Sequence, residues 1–530
     1  MTHSRWIHAA TAFACTWALA GTAVADDAKA RRAGDAAWKH VRVLADDNME
    51  GRNAGSPGHR RAAEYVAAQF KKAGLQPAGD AGFLQAVPLE VRQINEEKSS
   101  LTLTVNGQKR PLKLGDDAAI FLRGNYIRET EAPLVFTGHG LRLPQYGVDD
   151  LAGLDLKGKV VVAFNSAPAH VPGAVGAHFG STSERWKIYR AAGAVGVIFM
   201  PNPFTMDLPW PRVMQSRLDP FMVLSGPGDE FAGQQLWALF NPTRLEMLLE
   251  GTPHKAPDIL ALLKDGKSMP HFDLPATISS VIDVNVSTVT SENVVGVLPG
   301  TDPKLKNEYV VLSAHLDHLG MKKEGDGDRI YNGALDNAAG ISVLIEAARA
   351  MAKGKAPKRS ILFAAVTAEE KGLLGSRANV AKAKESGKNI VANLNSDMFL
   401  PLYPFKRVVV FGLEESDLAN DARAVAADLG LEVQSDPQPL RNRFIRSDQY
   451  SYIRVGVPAL ATKIGVLPDS PEAEIERKWQ LERYHAVSDD LDQPVDIESL
   501  GAYLNFAQRL AVRVANREQK PQWFETSVFR

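Results

Sequence analysis

The chain has 530 residues, with 61 basic and 62 acidic side chains and a formal net charge of -1. Such a length exceeds what one hydrophobic core organises, so two domains are expected. The near-cancelling charge argues against a nucleic-acid surface and against a polybasic membrane patch.

Residues 1–25 read as a signal peptide. Arg5 gives a short basic start, Trp6 to Leu19 is largely apolar, and Ala23-Val24-Ala25 fits the small-x-small cleavage pattern. The apolar stretch is too short for a membrane span, and no later run approaches that length. Cys15, the only cysteine, lies inside this segment. The mature chain is therefore expected to be exported, periplasmic or secreted, without disulfides and without a cysteine nucleophile.

From about residue 34 to 75, Trp38, Val41 and Leu44, then Ala63, Tyr65, Val66 and Phe70, recur at helical spacing. The run Asn53 to Gly58 parts the two helices so predicted. From about 100 to 290 short β-rich runs dominate. Leu101 to Val105 before Asn106-Gly107 is a hairpin signal, and Gly158 to Phe164 predicts another strand. Trp186 to Ala192 predicts a helix feeding a buried strand over Gly193 to Phe199. His139, His170, His178, His254 and His271 are scattered through this region and read as structural or exposed.

Beyond residue 290, strands and helices alternate. Strands are predicted at Asn307–Ala314, Arg359–Val366, Asn389–Asn395, Arg407–Phe411 and Val457–Thr462, with helices at Ala338–Ala352, Leu373–Ala383, Ser416–Leu429 and Ile497–Asn516. Strands interleaved with helices imply an α/β fold, a doubly wound and mostly parallel sheet flanked by helices. The β-rich middle then reads as an insertion. The expected divisions are 26–128 and 286–530 for the α/β domain and 129–285 for the inserted one.

A spaced series of acids and histidines runs through the α/β part, each member where a strand pattern gives way to a loop. His315 follows the buried run Tyr309 to Leu312, so its imidazole is expected to emerge at a strand end. Asp317 is too close in sequence to share a metal easily and is expected to accept the second ring N–H of a ligating histidine. His318 is expected to point elsewhere in the same turn. Asp336, just before a helix, is read as a carboxylate bridging two cations rather than as a helix N-cap. Glu369 and Glu370 offer a division of labour in which one binds metal and its neighbour takes a proton. Asp397 supplies a further oxygen, and His485 supplies the nitrogen that a second half-site would otherwise lack. Nitrogen together with carboxylate oxygen suits zinc.

The stretches AHLDHLG, GALDNAAG, TAEEKGLLGS, NSDMF and YHAVSDD resemble, in that order, motifs of the clan MH zinc peptidases. These are the co-catalytic di-zinc aminopeptidases and their relative glutamate carboxypeptidase II. The resemblance implies two zinc ions per chain, one held by His315 and Asp397, the other by Glu370 and His485, with Asp336 bridging. Glu369 would be the general base and Asp317 the partner of His315. Thr137 to Gly140, Gly158 to Val161 and Ala191 to Gly196 resemble a protease-associated (PA) domain, which in this family often covers or narrows the active site. Gln449 stands where the family often carries histidine, so an altered substrate contact is expected there. Tyr484 would assist the oxyanion, and Arg446, with Arg441 and Arg443 nearby, could grip a substrate carboxylate.

These features imply an exported metallo-aminopeptidase acting on peptide substrates. A carboxypeptidase or dipeptidase on the same scaffold is the alternative, and a non-catalytic binding protein a remote one.

Overall fold

A computed structural model describes residues 27–206, 209–225, 230–322 and 325–530. The expected signal peptide and Cys15 lie outside these residues. The chain divides into two compact units. One holds the residues up to Val87, Thr290–Gln438 and Arg446–Arg530; the other holds Pro88–Val289 and Pro439–Ile445.

In the first unit four parallel strands lie side by side in the order Ser360–Val366, Glu308–His315, Asn389–Asn395 and Ala459–Ile464. The antiparallel neighbours are Val284–Leu298 on one side and Arg407–Phe411 on the other. Every residue of Ser360–Val366 is buried, which is why it reads as an unbroken apolar run rather than an alternating one. The helices Pro57–Ala73, Ala339–Lys353 and Ile497–Asn516 bury apolar faces in the same core, through Val66, Phe70, Ile341, Ile345, Leu504 and Leu510.

The winding of this sheet reverses beside Glu308–His315. The chain crosses through Ala339–Lys353 to Ser360–Val366 on one side, then through Leu374–Glu385 to Asn389–Asn395 on the other. A reversal of this kind opens a crevice at the carboxyl ends of the strands, where open α/β sheets bind ligands. The doubly wound sheet expected from the sequence is therefore present, with strand and helix bounds within about two residues of expectation.

The second unit is a mixed eight-stranded sheet in the order Gln108–Leu112, Ser100–Val105, Phe272–Val281, Glu129–Phe136, Val160–Asn165, Gly196–Pro201, Leu236–Phe240 and Ala118–Ile120. Four adjacent strands of it, from Glu129–Phe136 to Leu236–Phe240, are parallel. The expected hairpin at Asn106-Gly107 forms between Ser100–Val105 and Gln108–Leu112. The expected opening of the insertion at residue 129 is corrected to Pro88. Ser100–Val105 pairs along its length with Phe272–Val281, so the residues around 100 belong to this sheet and not to the α/β unit. Among the described residues no helix is long and apolar enough to cross a membrane.

Candidate metal centre

The strand Glu308–His315 delivers His315 to the carboxyl edge of the first unit's sheet, where the residue is 1% exposed. Its Nε2 lies 3.2 Å from Asp336 Oδ1 and 3.2 Å from Asp397 Oδ1. Asp397 follows the adjacent strand Asn389–Asn395, so parallel pairing puts the two residues beside each other. On the other side of Asp336, His485 Nε2 lies 3.3 Å from Asp336 Oδ2 and 3.3 Å from Glu370 Oε2. The two oxygens of one carboxylate thus face two different histidines.

Asp336 takes this place because the chain does not cap the helix with it. The helix Ala339–Lys353 is preceded by a distorted turn, Ala334–Ala338, in which Asp336 and Asn337 are non-helical. Asn337 Oδ1 accepts the Gly340 N–H at 3.1 Å, which leaves the Asp336 oxygens free to face the histidines. The turn itself is fixed from far down the chain. Asp489 accepts the backbone N–H of Leu335 at 3.0 Å and of Asp336 at 2.9 Å.

The carboxylate of Asp317 does not meet His315 as expected. The His315 Nδ1 lies 3.1 Å from the backbone carbonyl oxygen of Asp317 and 3.9 Å from its carboxylate. The Asp317 oxygens instead accept the backbone N–H groups of Glu369 at 3.0 Å and Glu370 at 3.3 Å. The reason is the turn after Ser360–Val366, where Ala368 takes a positive φ of 52° and the two glutamate N–H groups have no strand partner. Asp317 therefore positions the glutamate pair, while a carbonyl oriented by the same residue fixes the His315 tautomer.

Two residues given no site role by sequence reasoning support the centre. His318 was expected to point elsewhere, yet it is fully buried with Nδ1 2.8 Å from Glu370 Oε1. Arg52 is also fully buried. Its guanidinium donates to the backbone carbonyls of Leu316 (2.8 Å), Leu44 (2.5 Å), Asn332 (2.5 Å) and Gly333 (2.9 Å), tying both site loops to the N-terminal segment. The signal for Arg52 is the run Glu50-Gly51-Arg52, with Glu50 and Gly51 held at positive φ.

Electrostatics follow from crowding carboxylates away from water. Burial pushes the Glu369 carboxyl well above the usual range, against the pull of His315 and with the help of Asp397 and Glu370. Burial likewise pushes Asp317 up to about 6 and Asp448 up to about 7. Burial opposes charge on His485, but Glu370 and Asp336 outweigh it and raise the group to about 11. For Asp336 the order is similar: burial opposes ionisation, and His315 and His485 hold it well below the carboxylate range.

Two groupings follow among the described residues. His315, Asp336 and Asp397 can hold one cation. Asp336 and Glu370 can hold a second, with His485 facing both or with His318. Glu369 belongs to neither cluster. The donors fit the group: imidazole nitrogen and carboxylate oxygen converge, and the excess of acids calls for cationic partners.

The expected substrate contacts divide. Tyr484 stacks on His485 with ring centroids 3.9 Å apart and is partly exposed. Arg446 is exposed and close enough to influence the Tyr484 phenol. Gln449 is fully buried, and its Oε1 accepts from Asn395 Nδ2 at 2.8 Å, so it supports the strand end instead of facing a crevice. Arg441 and Arg443 fall in the second unit.

Residues 293–510 match the family model described as Peptidase family M28. A "Probable zinc metalloprotease" of Pyrenophora teres f. teres is 33% identical over 121 residues, 22% of this chain and 23% of that protein. "Leucine aminopeptidase 1" of Trichophyton equinum is 36% identical over 112 residues, 20% of this chain and 28% of its own length. The chain thus spans about a quarter of the length of these curated relatives. A solved aminopeptidase from Aneurinibacillus sp. strain AM-1 shares the fold, with a TM-score of 0.52, 20% identity, and coverage of 93% of this chain and 97% of that one. The clan MH resemblance read from the five motifs agrees with the family match.

Proposed function

We propose that the chain is an exported zinc aminopeptidase that uses two metal ions to release N-terminal residues from peptides. One observation carries the two-metal reading: Asp336 turns one oxygen toward His315 and the other toward His485, at 3.2 and 3.3 Å. Such a split suits a carboxylate shared by two cations. His315, Asp397 and Asp336 would hold one zinc, and Asp336, Glu370 and His485 the other. Bound zinc supplies polarisation of a carbonyl oxygen and a lowered pKa for water.

The protein's own residues supply the rest. Glu369, which belongs to neither cluster, takes a proton from the attacking water and returns it to the leaving amine. Asp317 holds the backbone of Glu369 and Glu370, so base and ligand keep their separate directions. Tyr484, whose ring stacks on His485, is assigned the role of donating to a developing oxyanion. The choice of the amino end draws on the partial likeness to leucine aminopeptidases. The second unit is proposed as a PA domain, and export rests on the reading of residues 1–25.

The test is zinc content of the purified protein, with turnover of aminoacyl amides beside N-blocked peptides. Two zinc equivalents and release of free N-terminal residues are expected. Cleavage of N-blocked substrates alone would replace the aminopeptidase with a carboxypeptidase, and absence of turnover from a zinc-loaded chain would favour a binding protein.

A further inference from the structure

We infer that His318 is a positioning residue for the second metal half-site, holding Glu370 so that only its Oε2 is offered to a cation. The inference rests on the two-metal reading above. It begins from the pairing of each Glu370 oxygen with a different imidazole. Oε1 lies 2.8 Å from His318 Nδ1, while Oε2 lies 3.3 Å from His485 Nε2.

Distances separate two roles for His318, ligand and partner of a ligand. The 2.8 Å between His318 Nδ1 and Glu370 Oε1 is hydrogen-bond distance, shorter than the 3.2–3.3 Å between the other two imidazoles of the centre and their carboxylates. His318 Nδ1 lies 4.0 Å from Asp336 Oδ2, farther than the 3.2 and 3.3 Å of His315 and His485 from that carboxylate, so the ring faces Glu370 rather than the shared acid. The other ring nitrogen, Nε2, is buried and has no hydrogen-bond partner among the described residues. Among the described residues the ring's hydrogen bond is made to Glu370.

The ring is also held where it can make that contact. A Cβ added at Gly333 would lie 2.6 Å from His318 Cδ2, so only glycine leaves room for the imidazole. Gly333 has a φ of 59°, which independently favours glycine. The Tyr331 ring meets the imidazole edge to face at 6.5 Å, and the His318 backbone N–H donates to the Arg52 carbonyl at 3.2 Å. A side chain clamped on its face and at its backbone fixes the direction of the carboxylate it donates to, as partners behind metal ligands do.

The experiment is calorimetric titration of the metal-free full chain with zinc against a competing chelator. Wild type is compared with His318→Ala and His318→Asn, and the metal-free melting temperature is followed in parallel. The asparagine amide places an N–H near Nδ1 but no second ring nitrogen. His318→Ala is expected to weaken the second zinc equivalent by about 10–100-fold and leave the first unchanged. His318→Asn is expected to recover most of that loss. Unchanged zinc affinity in His318→Ala overturns the inference, even if its melting temperature falls. So does an asparagine variant no better than alanine, which would mark direct ligation or simple packing. A wild-type chain that binds fewer than two equivalents overturns the two-metal reading itself, and the inference with it.

Discussion

The two units both centre on four parallel strands, yet they treat buried polar groups in opposite ways. In the second unit His139 is fully buried between Ser166 Oγ at 2.7 Å and the Lys267 carbonyl at 2.9 Å. Asp150 there accepts the Leu141 N–H at 3.0 Å. Each group finds a neutral local partner and is satisfied. In the first unit Asp336, Glu369, Glu370 and Asp397 converge with too few cations to balance them. Burial is common to both; what distinguishes the first is like charge gathered at a reversal of strand order. Both candidate metal clusters among the described residues lie in that unit.

The sharpest way to test this contrast is Glu369→Gln. Turnover should fall by about 10²–10⁴-fold while zinc content is kept; a variant with normal rates would remove Glu369 as the base. Next in size, Trp186→Ala empties a fully buried site in the second unit and should destabilise that unit by about 3–5 kcal/mol. Zinc stoichiometry measured below its melting transition should be unchanged. Loss of zinc with Trp186 would mean that the two units are not separate in energy.

Asp489→Ala frees the N–H groups of Leu335 and Asp336 and should weaken zinc binding by about 10–100-fold. An unaltered affinity in a chelator competition would show that the Asp336 turn holds its shape alone.

The smallest effect concerns pH in the second unit. Burial lowers His139 from 6.5 to about 4, so the unfolded chain takes up its proton first as pH falls. The stability due to this group is therefore complete above pH 6.5 and is lost as pH falls toward 4. Asp150, raised by burial to about 6, works in the other direction, so wild type and His139→Gln must be compared. The variant should lose less stability between these pH values, as read by hydrogen exchange. Parallel pH curves would remove His139 as a source of acid sensitivity.

Much of the first unit was legible because its strands are short apolar runs ending in single polar residues. Tyr309 to Leu312 leads to His315, and Ile390 to Asn395 leads to Asp397, so position in the run told where each side chain would emerge. His318 escaped for a related reason. Alternation holds only inside a strand, and the strand stops at His315, after which the backbone turns and brings residue 318 back toward the glutamates. The roles of Asp317 and Asp489 were hidden because both act on backbone N–H groups, which every sequence contains. The boundary at Pro88 was hidden as well. It is set by the pairing of Ser100–Val105 with Phe272–Val281, partners about 170 residues apart that leave no local mark.

The hold of Asp489 on Leu335 and Asp336 has a consequence for when the centre comes into being. During synthesis, a chain extended to about residue 480 already contains every parallel strand of the first sheet, together with His315, Asp336, Glu370 and Asp397. It lacks His485 and the acid that anchors the Asp336 turn. A nascent chain is thus barred from assembling the proposed two-metal centre until residues 485–489 have been made and have docked. The order in which the residues are made acts as a safety catch.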